Sequence, residues 1–240
     1  MKLKISKTKH EVALNFSRFL ANLIANREVV HIALSGGSTP KIVFDELAAN
    51  FQEDIDWSKV HLYWGDERCV EPTDDQSNYK MTVDHLISKI NIPKENIHRI
   101  KGENEPEYEA KRYAGLLATQ MPYENGIPKF DLILLGMGDD GHTASIFPYE
   151  IELWYSEWFC EVAVHPDSEQ KRVTLTGKII NNADTVAFLV TGGSKAEKFS
   201  EIKNRSGAYK KYPARLVNPS SGRLLWFLDE AAAGLTSNQS

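Results

Sequence analysis

The sequence predicts an α/β fold, namely a doubly wound, mostly parallel sheet with helices on both faces. Short apolar runs typical of buried strands alternate along the chain with amphipathic patterns typical of helices. Several strand patterns end directly in glycine-rich or charged loops. Because ligands bind at the carboxyl ends of the strands in such sheets, these loops are the places where we expect function.

The first half of the chain opens with an amphipathic helix over 8–26. Apolar residues recur there at intervals of three and four, from Val12 through Phe16 to Ile24. The same criteria predict strands at 29–34, 60–65 and 130–137 and helices at 41–51, 77–90 and 106–120.

The second half continues the alternation of strands and helices. The predicted elements are strands at 158–164, 172–176, 185–191 and 224–228 and helices at 194–202 and 229–235. No linker rich in proline, glycine or serine interrupts the chain, so we expect a single domain over 1–240. The segments near 71–76, 121–129 and 203–213 are expected to be surface excursions.

The charge and cysteine content narrow the class of protein. The net charge is −5 and no block of lysine and arginine occurs, so neither nucleic acid nor an anionic membrane is an expected partner. The two cysteines, Cys69 and Cys160, show no metal-binding spacing, and free thiols in a reducing cytoplasm are expected. No secretory signal and no long apolar run is present.

Two glycine loops follow strands and precede helices. The first holds Ser35, Gly36, Gly37, Ser38 and Thr39, where the glycines let a ligand approach the backbone and Ser38 or Thr39 can cap the next helix. A helix N-terminus of this kind favours an anion such as phosphate, although a capped turn without a ligand has the same pattern.

The second glycine loop, at 191–195, places Lys195 in the first helical turn. A cation opposes the helix dipole there, which is a local conflict that makes sense if Lys195 binds an anion. A solvated lysine is the alternative.

Charged residues also gather around two other strands. Asp66, Glu67 and Arg68 follow the strand at 60–65, and Arg68 is suited to bind phosphate while the two carboxylates hold it or bind sugar hydroxyls. Arg172 shares one strand face with Thr174, and that face is expected to line a cleft. For residues 66–68 the alternative is a cluster of surface ion pairs. For the strand at 172–176 the alternative is an edge strand with one solvated face.

The segment 136–141 matches the pattern G-x-G-x-x-G, but its variable positions carry Asp139 and Asp140. Carboxylates there would repel a pyrophosphate, and no acidic residue ends the next strand as a dinucleotide site requires. We therefore interpret the segment as a loop that presents Asp140 and His142, with the carboxylate orienting a histidine that acts as general base on water. A structural histidine and an NAD-dependent dehydrogenase are the alternatives.

Together these segments resemble the 6-phosphogluconolactonase family, within the wider group that includes glucosamine-6-phosphate isomerases. The resemblance covers nearly the whole chain and is carried by 33–40, 64–70, 77–81, 134–148, 172–184, 188–196 and 213–233. Two departures concern loop shape, since the loop 165–171 holds a single proline and Gly177 stands where a proline often follows the strand.

The resemblance implies hydrolysis of 6-phospho-D-glucono-1,5-lactone without a metal or an organic cofactor. By matching motif, the loop 35–39 with Arg68, Arg172 and Lys195 holds the phosphosugar. His142 is the base, assisted by Asp140, with Asp66 as the next candidate base. The resemblance implies a small sugar phosphate as the only partner. The protein itself is expected to be a monomer or a small homo-oligomer.

The resemblance leaves two alternatives. Glucosamine-6-phosphate deaminases carry a glutamate five residues after the matching histidine, where this chain has Phe147 followed by Pro148. Sensor domains that bind a sugar phosphate usually add a DNA-binding module, and no basic helix-turn-helix fits before Val29.

Overall fold

A six-stranded parallel sheet forms the centre of the molecule. The computed structural model describes residues 1–235. The strands of this sheet are β1 (Lys2–Ser6), β2 (Val30–Leu34), β3 (Val60–Trp64), β7 (Leu132–Leu135), β10 (Thr185–Val190) and β11 (Leu224–Asp229). Their order is β1-β11-β10-β7-β2-β3, and every neighbouring pair is parallel. The predicted α/β fold with a mostly parallel sheet is thereby confirmed.

Six α-helices accompany the strands in the described residues: α1 (Lys9–Ala25), α2 (Ser38–Asn50), α3 (Asn78–His85), α4 (Pro106–Gln120), α5 (Gly177–Ile180) and α6 (Ala196–Asn204). The helix α1 begins where predicted because the side chain of Thr8 accepts the backbone N–H of Glu11. It packs on β11 and on α2, which itself contacts β10. Among residues 1–235, no helix has the length and apolar character needed to cross a bilayer.

A separate three-stranded antiparallel sheet holds two strands that we had expected in the main sheet. It consists of β4 (Asp66–Arg68), β8 (Cys160–Val164) and β9 (Lys171–Leu175), in the order β4-β9-β8. The helix α4 packs against β8 and β9. A short hairpin of β5 (Tyr123–Glu124) and β6 (Ile127–Pro128) lies within the predicted surface segment 121–129.

One strand was missed, and two other predictions need correction. The strand β1 was not predicted: Leu3 and Ile5 alternate with polar residues, but the run is only five residues long and most of its side chains are solvent-accessible at the sheet edge. The segment 229–235 is not a helix, since Asp229 ends β11 and its carboxylate accepts the backbone N–H groups of Gly192 and Ala232. The helix predicted over 77–90 ends at His85 and is followed by a 3₁₀ turn.

A stack of three histidines lies toward the amino ends of β2 and β3. His31 and His61 are direct cross-strand partners with ring centroids 5.2 Å apart. His98 stacks on His61 and on Tyr63, and its Nε2 lies 3.0 Å from Nδ1 of His61. Because the loops after β2 and β3 leave from the opposite ends of these strands, the histidine stack is remote from the predicted site.

Candidate active site

A cleft of about 250 Å³ opens at the carboxyl ends of β2, β7 and β10. Both sheets contribute to it, the small one through β4 and β9. Every residue predicted for the site except Asp140 lines this cleft: Ser35, Gly36, Gly37, Ser38, Thr39, Asp66, Arg68, His142, Arg172 and Lys195. The fold therefore brings together side chains that are more than a hundred residues apart in the sequence, while their individual roles stay predictions.

The loop after β2 comes close to the start of α3. A Cβ atom on Gly36 would lie 1.8 Å from Oδ1 of Asn78, so only glycine fits at this position. The predicted cap by Ser38 or Thr39 is wrong, because α2 begins at Ser38 and Gly37, with φ of 109°, is its N-cap without a side-chain hydrogen bond. The first turn of α2 thus presents backbone N–H groups toward the cleft, which is favourable for an anion.

Asp140 holds the imidazole of His142 on one side. Its Oδ1 lies 2.7 Å from Nδ1 of His142 and accepts the backbone N–H of the same residue at 3.0 Å. Burial raises the pKa of Asp140, but the hydrogen bond from His142 and the charge of that ring outweigh burial and leave the pKa below its ordinary value. An ionised carboxylate can only accept, so Nδ1 carries a proton and Nε2 of the neutral ring is free to take one.

The glycines of the loop 136–141 make room for the imidazole of His142 and do not form a nucleotide site. A Cβ atom on Gly138 would lie 2.2 Å from Nδ1 of His142, so a side chain there would displace the ring. No α-helix follows Gly141 directly; the next helical segment is a 3₁₀ helix at Pro148–Tyr155. The dinucleotide alternative is therefore wrong, because the pattern lacks the helix N-terminus that would bind a pyrophosphate.

Two arginines enter the cleft from the small sheet. Arg68 and Arg172 are directly opposite each other on β4 and β9. Each has a buried Nε atom with no hydrogen-bond partner. Only 9% of Arg172 is exposed and β9 is the central strand of the small sheet, so the alternative of an edge strand with one solvated face is wrong. Two guanidinium groups side by side in one cleft, neither in an ion pair within residues 1–235, are suited to bind an anionic ligand.

The two carboxylates beside Arg68 have different surroundings. Glu67 points away from the cleft and accepts the backbone N–H groups of Asn78 and Tyr79 at the start of α3, so its position is structural. Asp66 lines the cleft, and its Oδ2 accepts the hydroxyl of Ser145 at 2.6 Å. Of these two carboxylates, only Asp66 is placed to contact a ligand.

Lys195 reaches the cleft from a 3₁₀ turn, Gly193–Lys195, that directly precedes α6. Its Nζ lies 2.7 Å from the carboxylate of Asp139. The hydrogen bonds from Lys195 and Ser194 hold the pKa of Asp139 below its ordinary value. The ion pair links the loop after β10 with the loop after β7. The negative charge of Asp139 also offsets the unfavourable interaction between Lys195 and the helix dipole.

Asn78 is a cleft residue that sequence reasoning missed. It is buried, and its Nδ2 donates to the backbone carbonyl of Asp66 at 3.0 Å. Its only sequence signal was its place in the matched segment 77–81. Within residues 1–235, no group of three or more histidine, cysteine, aspartate or glutamate side chains is arranged to hold a metal ion.

Comparisons with known proteins agree with this geometry. Residues 5–226 match the family model of glucosamine-6-phosphate isomerases/6-phosphogluconolactonase. The chain is 46% identical over 207 residues to a 6-phosphogluconolactonase of Haemophilus influenzae, covering 86% of this chain and 87% of that protein.

Two solved structures extend the match to the whole fold. The crystal structure of devB protein has a TM-score of 0.93 at 44% identity and covers 98% of this chain and 99% of that one. The 6-phosphogluconolactonase of Trypanosoma brucei has a TM-score of 0.85 at 26% identity, with 98% of each chain covered. The chain belongs to the family of glucosamine-6-phosphate isomerases and 6-phosphogluconolactonases.

Proposed function

We propose that this protein hydrolyses 6-phospho-D-glucono-1,5-lactone to 6-phosphogluconate. The observation that carries the proposal is the pairing of Asp140 and His142 in a cleft that also holds two arginines, Arg68 and Arg172, neither of which forms an ion pair within residues 1–235. An oriented imidazole is the group needed to activate water, and the arginines are the groups needed to bind a phosphate. The lactonase names among its relatives agree with that chemistry.

The reaction begins with proton transfer from water to Nε2 of His142. The oxygen of this water forms a bond to the lactone carbonyl carbon, and the carbonyl oxygen takes up the negative charge. Asp140 stabilises the imidazolium that results, because its carboxylate accepts the proton on Nδ1. Lys195 and the backbone N–H groups at the start of α2 are the cleft donors available to the developing oxyanion.

The second step opens the ring. The bond between the carbonyl carbon and the ring oxygen breaks as the carbonyl re-forms, and His142 returns its proton to the departing ring oxygen. The products are a carboxylic acid, which ionises at neutral pH, and a free hydroxyl on the same sugar. No other co-reactant is needed for this balance.

The phosphate is assigned to the side of the cleft where Arg68 and Arg172 lie. Arginine suits this task because its planar fork binds two phosphate oxygens at once. Lys195 and the loop 35–39 then contact the remainder of the phosphosugar from the main sheet. In this arrangement the phosphate lies at the small sheet and the general base lies in the loop after β7 of the main sheet. The sugar lies between them.

The alternative in the same family is a deaminase of glucosamine 6-phosphate. That reading has less support here, because Phe147 occupies the position five residues after His142 and supplies no carboxylate. The free cysteines, Cys69 and Cys160, agree with a protein of the reducing cytoplasm, which we include in the proposal.

The test is the rate of lactone loss above the spontaneous rate. The lactone is generated immediately before use, and its disappearance is followed with wild-type protein, with a His142→Ala variant and with no protein. We expect acceleration by the wild type alone. Equal rates in all three would overturn the proposal, and release of ammonia from glucosamine 6-phosphate would establish the alternative.

A further inference from the structure

Phe147 is a fully buried residue at which the two halves of the proposed site meet. Its ring centroid lies 4.8 Å from that of His142, tilted by 54°. The guanidinium carbon of Arg172 lies over the same ring at 5.5 Å from its centroid. One apolar side chain therefore contacts both the candidate base on the main sheet and a candidate phosphate ligand on the small sheet.

Arg172 depends on this ring for its position. Within residues 1–235, no carboxylate forms an ion pair with Arg172, and its buried Nε has no hydrogen-bond partner. Its cross-strand neighbour Arg68 carries the same charge and repels it. A cation over an aromatic face is attracted by the ring quadrupole, and the attraction strengthens when both are buried.

His142 is held from two directions. Asp140 fixes Nδ1, which defines the tautomer but still permits the ring to tilt about that hydrogen bond. Phe147 packs on the ring itself and restricts the tilt. The phenyl ring is in turn held by His165, whose ring meets it edge-on at 5.2 Å, and by Tyr149, which stacks at 6.2 Å.

We propose that Phe147 is a positioning residue that fixes His142 and Arg172 relative to each other before the substrate arrives. The inference rests on the proposed lactonase function. It assigns Phe147 a positive role, whereas the comparison with deaminases notes only that position 147 lacks a carboxylate. It accounts for burial of an arginine that forms no contact ion pair within residues 1–235, since the aromatic face adds to the more distant charge of Asp66 in stabilising the guanidinium until the phosphate binds.

The test compares two identical substitutions at fully buried phenylalanines. Phe147→Leu removes the aromatic face but keeps an apolar side chain. Phe16→Leu makes the same change in α1, where Phe16 packs on Phe227 and lines no part of the cleft. Thermal unfolding, kcat, KM and the Kd of 6-phosphogluconate are measured for wild type and both variants.

We expect comparable losses of thermal stability in the two variants and a loss of function in only one. For Phe147→Leu, the Kd of 6-phosphogluconate rises by roughly 5- to 30-fold, as expected for a desolvated cation–π contact, and kcat falls as well. For Phe16→Leu, both constants stay near wild type. Equal constants in Phe147→Leu and Phe16→Leu would overturn the inference.

A second variant pair shows whether Phe147 acts through Arg172. In an Arg172→Ala background, Phe147→Leu should leave the Kd of 6-phosphogluconate unchanged, because the contact that it removes is already absent. Additive effects on Kd would refute action through Arg172. A wild-type protein that binds 6-phosphogluconate but fails to hydrolyse the lactone would refute the proposed function instead, and the binding comparison would still decide the role of Phe147.

Discussion

Arg68 and Arg172 are direct cross-strand partners in the antiparallel ladder of β4 and β9. Like charges at such positions destabilise a sheet. Burial lowers the pKa of Arg172, and the charge of Arg68 acts in the same direction, while Asp66 opposes both. The free protein thus holds two repelling cations at one edge of an otherwise acidic molecule, and a bound dianion would relieve the repulsion.

Arg172→Ala should weaken binding of 6-phosphogluconate while leaving the fold intact. A lost charge-assisted contact is worth about 1.5–3 kcal/mol of binding free energy. Lys195→Ala should have a smaller effect, because Asp139 already neutralises part of that charge. Calorimetric titration gives the affinities, and Arg223→Ala, which removes an exposed arginine outside the cleft, is the control. Unchanged affinity in both cleft variants would show that the phosphate binds elsewhere.

His142→Ala should abolish most of the turnover and preserve product binding. General-base assistance contributes about 10²–10⁴-fold to a rate, and alanine cannot accept a proton. His142→Gln should fare little better, since an amide is polar but accepts no proton from water. Lactone hydrolysis and thermal unfolding are measured on the same preparation.

The alternative of a structural histidine makes the opposite forecast for this variant. It predicts a lower melting temperature with turnover per folded molecule preserved. Near wild-type turnover in well-folded His142→Ala would remove His142 from the mechanism, and Asp66 would become the candidate base.

Asp140→Asn should lower kcat by about tenfold or more, although less than loss of the base itself. The amide is neutral and cannot stabilise a charged imidazole as the carboxylate does. Asp139→Asn is a matched control one residue away. It removes the partner of Lys195 but leaves the carboxylate of Asp140 on His142, so kcat should fall far less than in Asp140→Asn. Equal effects of both substitutions on kcat would mean that Asp140 does not act through His142.

Stability should fall at acid pH because of the histidine stack. Burial and the charges of His61 and His31 lower the pKa of His98 to about 4, and burial with His31 lowers the pKa of His61. A lowered histidine pKa gives stability that is complete above the unfolded value of about 6.5 and is lost as pH falls toward 4. Urea unfolding at pH 7.5, 6 and 5 should therefore show a declining free energy of unfolding.

His98→Phe tests the origin of that decline. The phenyl ring can keep the stacking on Tyr63 but takes up no proton, so the loss of stability between pH 7.5 and 5 should become smaller. His10→Gln, at an exposed position of α1, serves as the control. The same pH dependence in His98→Phe and wild type would assign the decline to other groups.

The sequence predicted those elements whose side chains are buried in a regular pattern. Strands β2, β3 and β10 each hold a single polar residue among apolar ones and were located within a residue or two. The strand β1 was missed because it lies at an edge, and the sheet of β4, β8 and β9 was misassigned because local patterns do not reveal the strand partner. The alanine run after Asp229 favours a helix, but the carboxylate of Asp229 caps a turn there.

For the site, sequence patterns identified charged side chains in loops but not their environment. His142 and Asp140 were predicted together because they are two residues apart. Burial of Arg172 and the contacts of Phe147 could not be predicted, since each depends on the packing of two sheets against each other. Asn78 was missed for the same reason, because its neighbour Gly36 comes from the loop after β2 and its neighbour Asp66 from strand β4.

Because the cleft is lined by two sheets, a ligand bound in it connects one sheet to the other. In the free protein the sheets are joined near the cleft by Gly65, which connects β3 to β4, and by the contacts of Ser145 with Asp66 and Thr174. A phosphosugar that reaches from Arg172 to the loop after β2 adds a further connection. At a concentration of 100 times Kd it raises the free energy of unfolding by about 2.7 kcal/mol, and the backbone amides of β9 should then exchange more slowly with solvent.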